Sequence, residues 1–368
     1  MKIRAVELYH VPRKLRKPFI TSLGFNEYAH SVYVKVFTDT DLVGYGECAP
    51  SPYINGETHE TCFVVGKLLA QGLIGKDPLD IFSNFELMSK LIYANNSIKS
   101  AFDIAHYDLI SKSEDLPLYK YLGGKISKRI YTDYTVSVGH VEEMLEDAIK
   151  VKQDGYQIIK VKLGKGGEKD VERIKNIREA VGSDIKLRVD ANQGWEVDEA
   201  ERTLTALREY DIQYCEEPIR RHKFDLLPEL RRQSSVKIMA DESVLDHYDA
   251  HRLIKTEACD YINIKLGKSS GIFKALKIIK AAEKAKMKLQ LGGFLESRLL
   301  FTANAHLAHT SKYCAFYDFD SPLFAIENPI LGGMEYGNNG EVILNDEPGL
   351  GLSIDDEYLK NVNKLVVK

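Results

Sequence analysis

From about Ile130 onward the chain alternates between short apolar runs and longer stretches that carry a single apolar stripe. The runs are YTVSV around Val136, Ile158 to Leu163, Ile185 to Asp190, Ile212 to Glu216, Val236 to Asp241, Tyr261 to Lys265 and Leu289 to Leu291. Their length and near-continuous hydrophobicity read as strands buried on both faces. In the stretches between, Val171, Ile174, Ile177 and Val181 recur at helical spacing, as do Ile272, Ala275, Leu276 and Ile279. The polar residues that close successive runs, Lys162, Asp190, Glu216, Asp241 and Lys265, follow one another at 28, 26, 25 and 24 positions. One strand, one helix and two loops occupy about that many residues. The pattern therefore predicts consecutive β/α units closing into a parallel barrel rather than a sheet with one switch point.

The residues before the barrel read as α+β. Ile3 to His10 and Ser31 to Thr38 are predicted strands, Asp39 to Asp41 a turn, and Leu42 to Cys48 the returning arm of a hairpin. TSLGFNEYAHS and APSPYINGETHE read as loops suited to moving over a site. Ile98, Ala101, Phe102, Ala105 and Leu109 predict a helix that ends before Asp115-Leu116-Pro117. After about Gly332 the barrel period is lost, and the tail is expected to pack back on the first domain. The expected division is residues 1–125, 126–330 and 331–368.

Composition narrows the function by exclusion. The 368 residues exceed one ordinary domain, and 44% hydrophobic with 28% charged content fits a folded protein. A net charge of -4 without a block of like charge gives no reason to expect a nucleic-acid partner. No apolar run is long enough for a signal peptide or a bilayer span, so no membrane role is expected. Cys48, Cys62, Cys215, Cys259 and Cys314 are scattered without a C-x-x-C pair and read as reduced core residues of a cytoplasmic protein.

Barrel chemistry gathers at the C-terminal ends of the strands. Those ends carry Lys160, Lys162, Asp190, Glu216, Asp241 and Lys265. A lone acid there commonly caps the following helix. Three acids closing successive apolar strands argue instead for convergence on one hard cation, and oxygen-only ligation favours Mg2+ over Zn2+. Lys160 and Lys162 stand two apart and project to one face of their strand. Apolar neighbours on both sides argue against a solvated edge. Two inward ammonium groups beside a divalent cation are expected to have lowered pKa values, so that one can act as a base. Lys265 lies across the barrel. A base on each side of a trapped substrate is what removing and returning a proton at a stereocentre requires.

DANQGW (Asp190 to Trp195), CEEP (Cys215 to Pro218), ADES (Ala240 to Ser243), NIKLGKSSG (Asn263 to Gly271) and the K-V-K of Lys160 to Lys162 together resemble the enolase superfamily, and within it the muconate-lactonizing subgroup. Five motifs in order extend the resemblance over essentially the whole chain. It implies an α+β capping domain, a modified (β/α)7β TIM-type barrel and a C-terminal return to the cap. It further implies one Mg2+ per subunit on Asp190, Glu216 and Asp241, with Glu216 rather than Glu217 as the ligand of CEEP. The implied chemistry is abstraction of a proton α to a carboxylate through an enediolate stabilised by the metal. Lys162 and Lys265 become the two bases, and Lys160 adds positive charge at the substrate carboxylate.

In YDFDSPL, Asp318 and Asp320 follow the last barrel strand. Alone, D-x-D reads as a turn or a helix cap. In this place it resembles the dipeptide epimerases, which implies that the pair holds a substrate ammonium. TDYTVSV (Thr132 to Val138) resembles them too and implies that Thr135 touches substrate. Lys17 to Leu23 resembles the loop of epimerases acting on Ala-Glu, which continue with an Arg that pairs with glutamate; here the residue is Gly24. GGFLES has Gly293 where some relatives have Ser, beside Phe294 and Leu295. A charged glutamate buried without its partner would lose a few kcal/mol, so the expected substrate is a dipeptide with a small or hydrophobic second residue, Ala-Ala first. Another Arg or Lys on a loop, such as Arg298, would overturn that preference. Alternatives are an L-Ala-D/L-Glu epimerase, an o-succinylbenzoate synthase or a muconate-type cycloisomerase, whose substrates carry no ammonium in the latter two cases. A Schiff-base aldolase would not need three acids, and a peptide-binding protein would not need two bases. Dimers and octamers among relatives leave a homo-oligomer open.

Overall fold

The computed structural model describes all residues, 1–368. Eight strands, Tyr134–Val136, Ile158–Lys162, Lys186–Asp190, Ile212–Glu216, Ile238–Ala240, Tyr261–Lys265, Lys288–Gly292 and Cys314–Tyr317, form one sheet in sequential order. Every neighbouring pair is parallel. The sheet curls until its edges meet, where Asp133 N–H donates to Tyr317 O at 3.3 Å and Thr135 N–H to Asp320 Oδ2 at 2.6 Å. The first seven strands are each followed by a helix, while the eighth leads only into the single turn Ser321–Phe324. This is the expected (β/α)7β barrel. Register keeps the strand ends level, with Lys162 opposite Asp190 and Asp190 opposite Glu216. Alternation then sends Val161, Val189 and Cys215 outward into the buried layer under the helices and the polar residues inward. The interior is accordingly polar where barrels are commonly filled by branched aliphatics: Arg188 pairs with Asp133 at 2.8 Å, and Tyr214 donates to Gln290.

The N-terminal part forms an antiparallel sheet of β1 (Ile3–Ile20), β2 (Phe25–Thr38) and β3 (Val43–Cys48), with the final strand Asn363–Val367 on the outer edge of β1. Helices α1 (His59–Leu73), α2 (Ile81–Leu91) and α3 (Asn96–Ser113) follow it. The helix expected around Ile98 to Leu109 is α3. One expectation fails. TSLGFNEYAHS is not a loop: β1 runs ten residues past His10, β2 begins at Phe25, and only Thr21 to Gly24 turn. The distal hairpin is two-stranded and covered by no layer of its own, so it carries no alternation to read. Pro12 lies just beyond Val6–His10, the stretch that pairs with the final strand, where the ladder on that side has ended. The hairpin tip rests on the barrel mouth, with Ser22 Oγ donating to Asn192 O at 2.7 Å and Val138 N–H to Ile20 O at 3.2 Å.

Two carboxylates of the N-terminal part sit at the starts of barrel helices. Glu47 on β3 accepts from Ser297 N–H at 2.7 Å, Ser297 Oγ at 2.7 Å and Leu300 N–H at 3.1 Å, at the head of Arg298–Ala308. Asp103 on α3 accepts from Phe273 N–H at 3.1 Å, at the head of Ile272–Ala285. Each supplies an acceptor where a helix exposes unpaired N–H groups. The tail first pairs with the barrel side, Glu341–Ile343 against Ile130–Tyr131, before its last strand joins β1. No helix is long and apolar enough to cross a membrane.

Candidate active site

A cavity of about 220 Å3 lies between the strand ends and the β1–β2 hairpin. Asp190, Glu216 and Asp241, at the ends of the third and fourth strands and just past the fifth, are fully buried beneath it. Burial opposes their ionisation. Lys162 and Lys160 nonetheless hold Asp190 below its ordinary value, and Lys265 and Lys268 hold Asp241 well below the carboxylate range. Glu216 stays above its ordinary value, because burial and the neighbouring Asp190 and Asp241 outweigh Lys160. Asp241 Oδ2 lies 2.8 Å from Lys265 Nζ yet accepts no well-aligned hydrogen bond. Three buried carboxylates on adjacent strands, one with an unsatisfied oxygen, fit a hard divalent cation such as Mg2+. Glu217 is used differently. Its side chain accepts from Asp241 N–H at 2.7 Å, Ser243 N–H at 3.2 Å and Ser243 Oγ, so it clamps the neighbouring strand end and leaves Glu216 to face the barrel axis.

Lys162 and Lys265 end the second and sixth strands, four apart in a ring of eight, and both line the cavity. Lys162 Nζ donates to Asp190 at 2.6 Å with the Phe19 ring 5.8 Å away; Lys265 Nζ has the Phe294 ring at 5.1 Å. Lys160 is fully buried below, 2.7 Å from Glu216, 2.8 Å from Asp318 and 3.3 Å from Asp190. Lys160 and Lys265 are each subject to two opposed effects. Burial alone would lower them, but Asp318, Glu216 and Asp190 hold Lys160 well above its ordinary value, and Asp241 and Glu216 do the same for Lys265. Carboxylate attraction exceeds desolvation here.

Asp318 and Asp320 form a third wall. Lys160 draws Asp318 down to about 2 against the opposing effect of burial. Asp320, fully buried beside Asp318 and Asp133, is raised well above its ordinary value. Thr135 lines the cavity and donates its backbone N–H to Asp320 Oδ2 at 2.6 Å. Gly24, Gly293 and Leu295 also line the cavity. A Cβ on Gly24 would stand 3.2 Å from the Tyr53 ring, and one on Gly293 would strike Phe301 at 2.5 Å. Arg298 is turned away, donating to Ile330 O at 2.6 Å and Gly332 O at 3.2 Å. No arginine is among the 25 lining residues, whose large apolar members include Phe19, Leu23, Tyr53, Ile54, Phe294 and Leu295.

Comparison with known proteins agrees with this geometry. A family model described as the mandelate racemase / muconate lactonizing enzyme N-terminal domain matches residues 3–123, and one described as enolase C-terminal domain-like matches residues 143–358. The chain belongs to the enolase superfamily. A protein of Cytophaga hutchinsonii described as a D-Ala-D/L-Ala epimerase is 50% identical over the full length of both chains. A crystal structure of dipeptide epimerase from that organism, complexed with Mg and D-Ala-L-Val, superposes with a TM-score of 0.99, covering 100% of both chains. A hydrophobic dipeptide epimerase of Enterococcus faecalis is 38% identical, covering 96% of this chain and 100% of its own. An L-Ala-D/L-Glu epimerase of Clostridium acetobutylicum is 36% identical, covering 96% and 99%.

Several site residues of this superfamily member escaped the reading of strand ends. Lys268 is buried and donates to Asp241 and, at 3.0 Å, to Asn263 O. Asn263 donates to Glu216 at 2.7 Å, and Asn192 to Glu242 at 3.2 Å. Asp133 joins Asp318 and Asp320, with carboxylate oxygens within 4.8 Å of one another, and is pushed to about 7 by burial and by Asp318. Lys268, Asn263 and Asn192 lie inside motifs already singled out, so their proximity was a usable signal. Asp133 sits one residue before a strand, and only the closure of the barrel brings it beneath Asp318.

Proposed function

We propose that this chain is a Mg2+-dependent dipeptide epimerase that inverts the α-carbon of the C-terminal residue, with Ala-Ala or Ala-hydrophobic dipeptides preferred over Ala-Glu. The observation that carries the reading is the pair Lys162 and Lys265, on opposite walls of one cavity whose third wall holds Asp318 and Asp320. Asp190, Glu216 and Asp241 would hold the metal, which when bound supplies positive charge to the substrate carboxylate and so acidifies the adjacent α-C–H. Lys160 and the metal-site carboxylates set the electrostatics of the cavity floor. Asp318 and Asp320 bind the dipeptide's ammonium and fix which carbon lies between the lysines. One lysine, neutral, removes the α-proton from its face. The other, as ammonium, delivers a proton to the opposite face, which inverts the centre with no net change in proton count. Positive charge held by the metal-site carboxylates would offset the pull that otherwise favours the Lys265 ammonium.

The absence of arginine from the lining and the outward path of Arg298 support a neutral second side chain. An acidic pair facing the substrate disfavours the cycloisomerase and o-succinylbenzoate synthase readings, whose substrates offer no ammonium. The same reading takes residues 1–125 as the cap, 126–330 as the barrel and 331–368 as the return segment. Five buried free thiols suit a cytoplasmic enzyme, and no nucleic-acid partner is assigned. The test is NMR of the C-terminal α-proton in D2O with Mg2+ and a panel of Ala-Ala stereoisomers, Ala-Phe, Ala-Lys and Ala-Glu. Loss of that signal with inversion, abolished by EDTA, is expected. A fastest rate on Ala-Glu would overturn the substrate preference, and no exchange with any dipeptide would overturn the reaction.

A further inference from the structure

Three histidines at the cap rim take no part in the reaction above. His10 and His30 lie on β1 and β2. The register pairs His10 with Val32 and Pro12 with His30, so the two imidazoles are diagonal neighbours on one face of the hairpin. His59 is the first residue of α1, whose start is held by the capping box of Thr58 and Thr61. Its ring stacks on His10 with centroids 3.9 Å apart and on His30 at 5.0 Å. His10 Nε2 and His30 Nδ1 are 3.0 Å apart, and one nitrogen of each ring lies within 4.8 Å of the others. Glu60 Oε1, 3.0 Å from His59 Nε2, brings a carboxylate to the same place.

We propose that His10, His30 and His59 form a binding site for a transition-metal cation of the zinc class, distinct from the carboxylate site in the barrel. The chemistry of the donors separates the two sites. Imidazole nitrogen suits zinc-class ions and is a poor ligand for Mg2+, whereas an all-oxygen set has the opposite preference. Two imidazole nitrogens on a tetrahedral zinc stand roughly 3.3 Å apart, given Zn–N bonds of about 2.0–2.1 Å; the closest pair here is near that spacing as a hydrogen bond, and an ion would replace the shared proton and turn the His59 ring out of its stack. The ligands come from two strands and a capped helix start, all fixed elements, and the exposure of His30 leaves the group open to solvent. His30 and His59 also border the cavity, so a bound ion ties α1 and the loop before it to the hairpin at the substrate's mouth.

The test is calorimetric titration of Zn2+ into the full chain at pH 7.5 in a large excess of Mg2+, with thermal melts alongside. One equivalent is expected to bind the wild type and raise its Tm. His10→Gln is expected to weaken that binding at least tenfold and to remove the Tm rise. His30→Gln, at an exposed position where folding is not at stake, is expected to do the same. Zn2+ binding that is equal in the wild type and both variants would locate the ion at the barrel carboxylates and overturn the proposal. Absence of any binding in the wild type would overturn it too, marking the three rings as stacked packing alone. Neither result bears on dipeptide exchange, which is read separately.

Discussion

A lysine that ends a strand is read from sequence as a candidate base, but its chemistry depends on which carboxylates the fold brings against it. Lys162 and Lys265 were legible because each closes an apolar run. The carboxylates that surround them were not, since Lys160 and Lys265 owe their raised values to Asp190, Glu216, Asp241 and Asp318, 24 to 158 positions away in the chain. If each lysine serves one face, Lys265→Ala abolishes epimerisation by roughly 10²- to 10⁴-fold, while one stereoisomer still exchanges its α-proton with D2O through Lys162. Lys162→Ala gives the mirror result. Exchange of both stereoisomers in either variant, followed by NMR, would remove the two-base mechanism. Gly24 is a second residue-scale case. The space a side chain would enter is occupied by Tyr53, 3.2 Å from the site of a Cβ. Gly24→Arg alone is therefore expected to leave Ala-Glu a poor substrate, and Gly24→Arg with Tyr53→Ala to improve its kcat/KM by tenfold or more. Equal gains in the single and double variants would mean that Tyr53 does not block that side of the cavity.

At the scale of elements, periodicity was informative wherever a layer of other atoms imposed it. The barrel strands and α3 are packed on all sides, and their apolar spacing gave them away. The distal half of the β1–β2 hairpin is not, and Phe25 and Tyr28 stand exposed there, so its residues read as a loop although they pair in register. Contacts between the two parts of the chain were equally invisible, because no local pattern records that Glu47 caps a helix 250 positions later. That contact reaches the site, since the helix begins immediately after the cavity-lining Gly293 to Leu295. Glu47→Ala would strand Ser297 N–H and Leu300 N–H and remove the charge partner of Arg13, 3.9 Å from Glu47 Oε1, in a buried junction. A loss of about 2–4 kcal/mol is expected, measured by denaturant unfolding, together with a fall in kcat as the 293–295 segment loosens. A variant with unchanged stability would show that the carboxylate is dispensable to the docking of cap on barrel.

For the molecule as a whole, the same docking sets an acid limit. Helix α3 contributes Ile104 and Tyr107 to the larger hydrophobic core and Phe102, Ala105 and Leu109 to the smaller one, so it is shared by cap and barrel. Between those residues His106 is buried, and burial alone lowers it to about 4. On the barrel side His306, lowered by burial to about 3, accepts the Tyr119 N–H at 3.2 Å and stacks on the Tyr119 ring. Both histidines are bases whose folded values lie below the ordinary value of 6.5. As pH falls through 6.5 the unfolded chain takes up protons that the native state refuses, so stability is complete above that pH and declines towards pH 4 and then 3. For His106 the decline amounts to about 2 kcal/mol between pH 7 and pH 5. His106→Leu removes the titrating group at similar volume, so its Tm should fall less steeply than that of the wild type over pH 7 to 5. Parallel Tm profiles for the two proteins would show that the acid sensitivity of the cap–barrel junction arises from other groups.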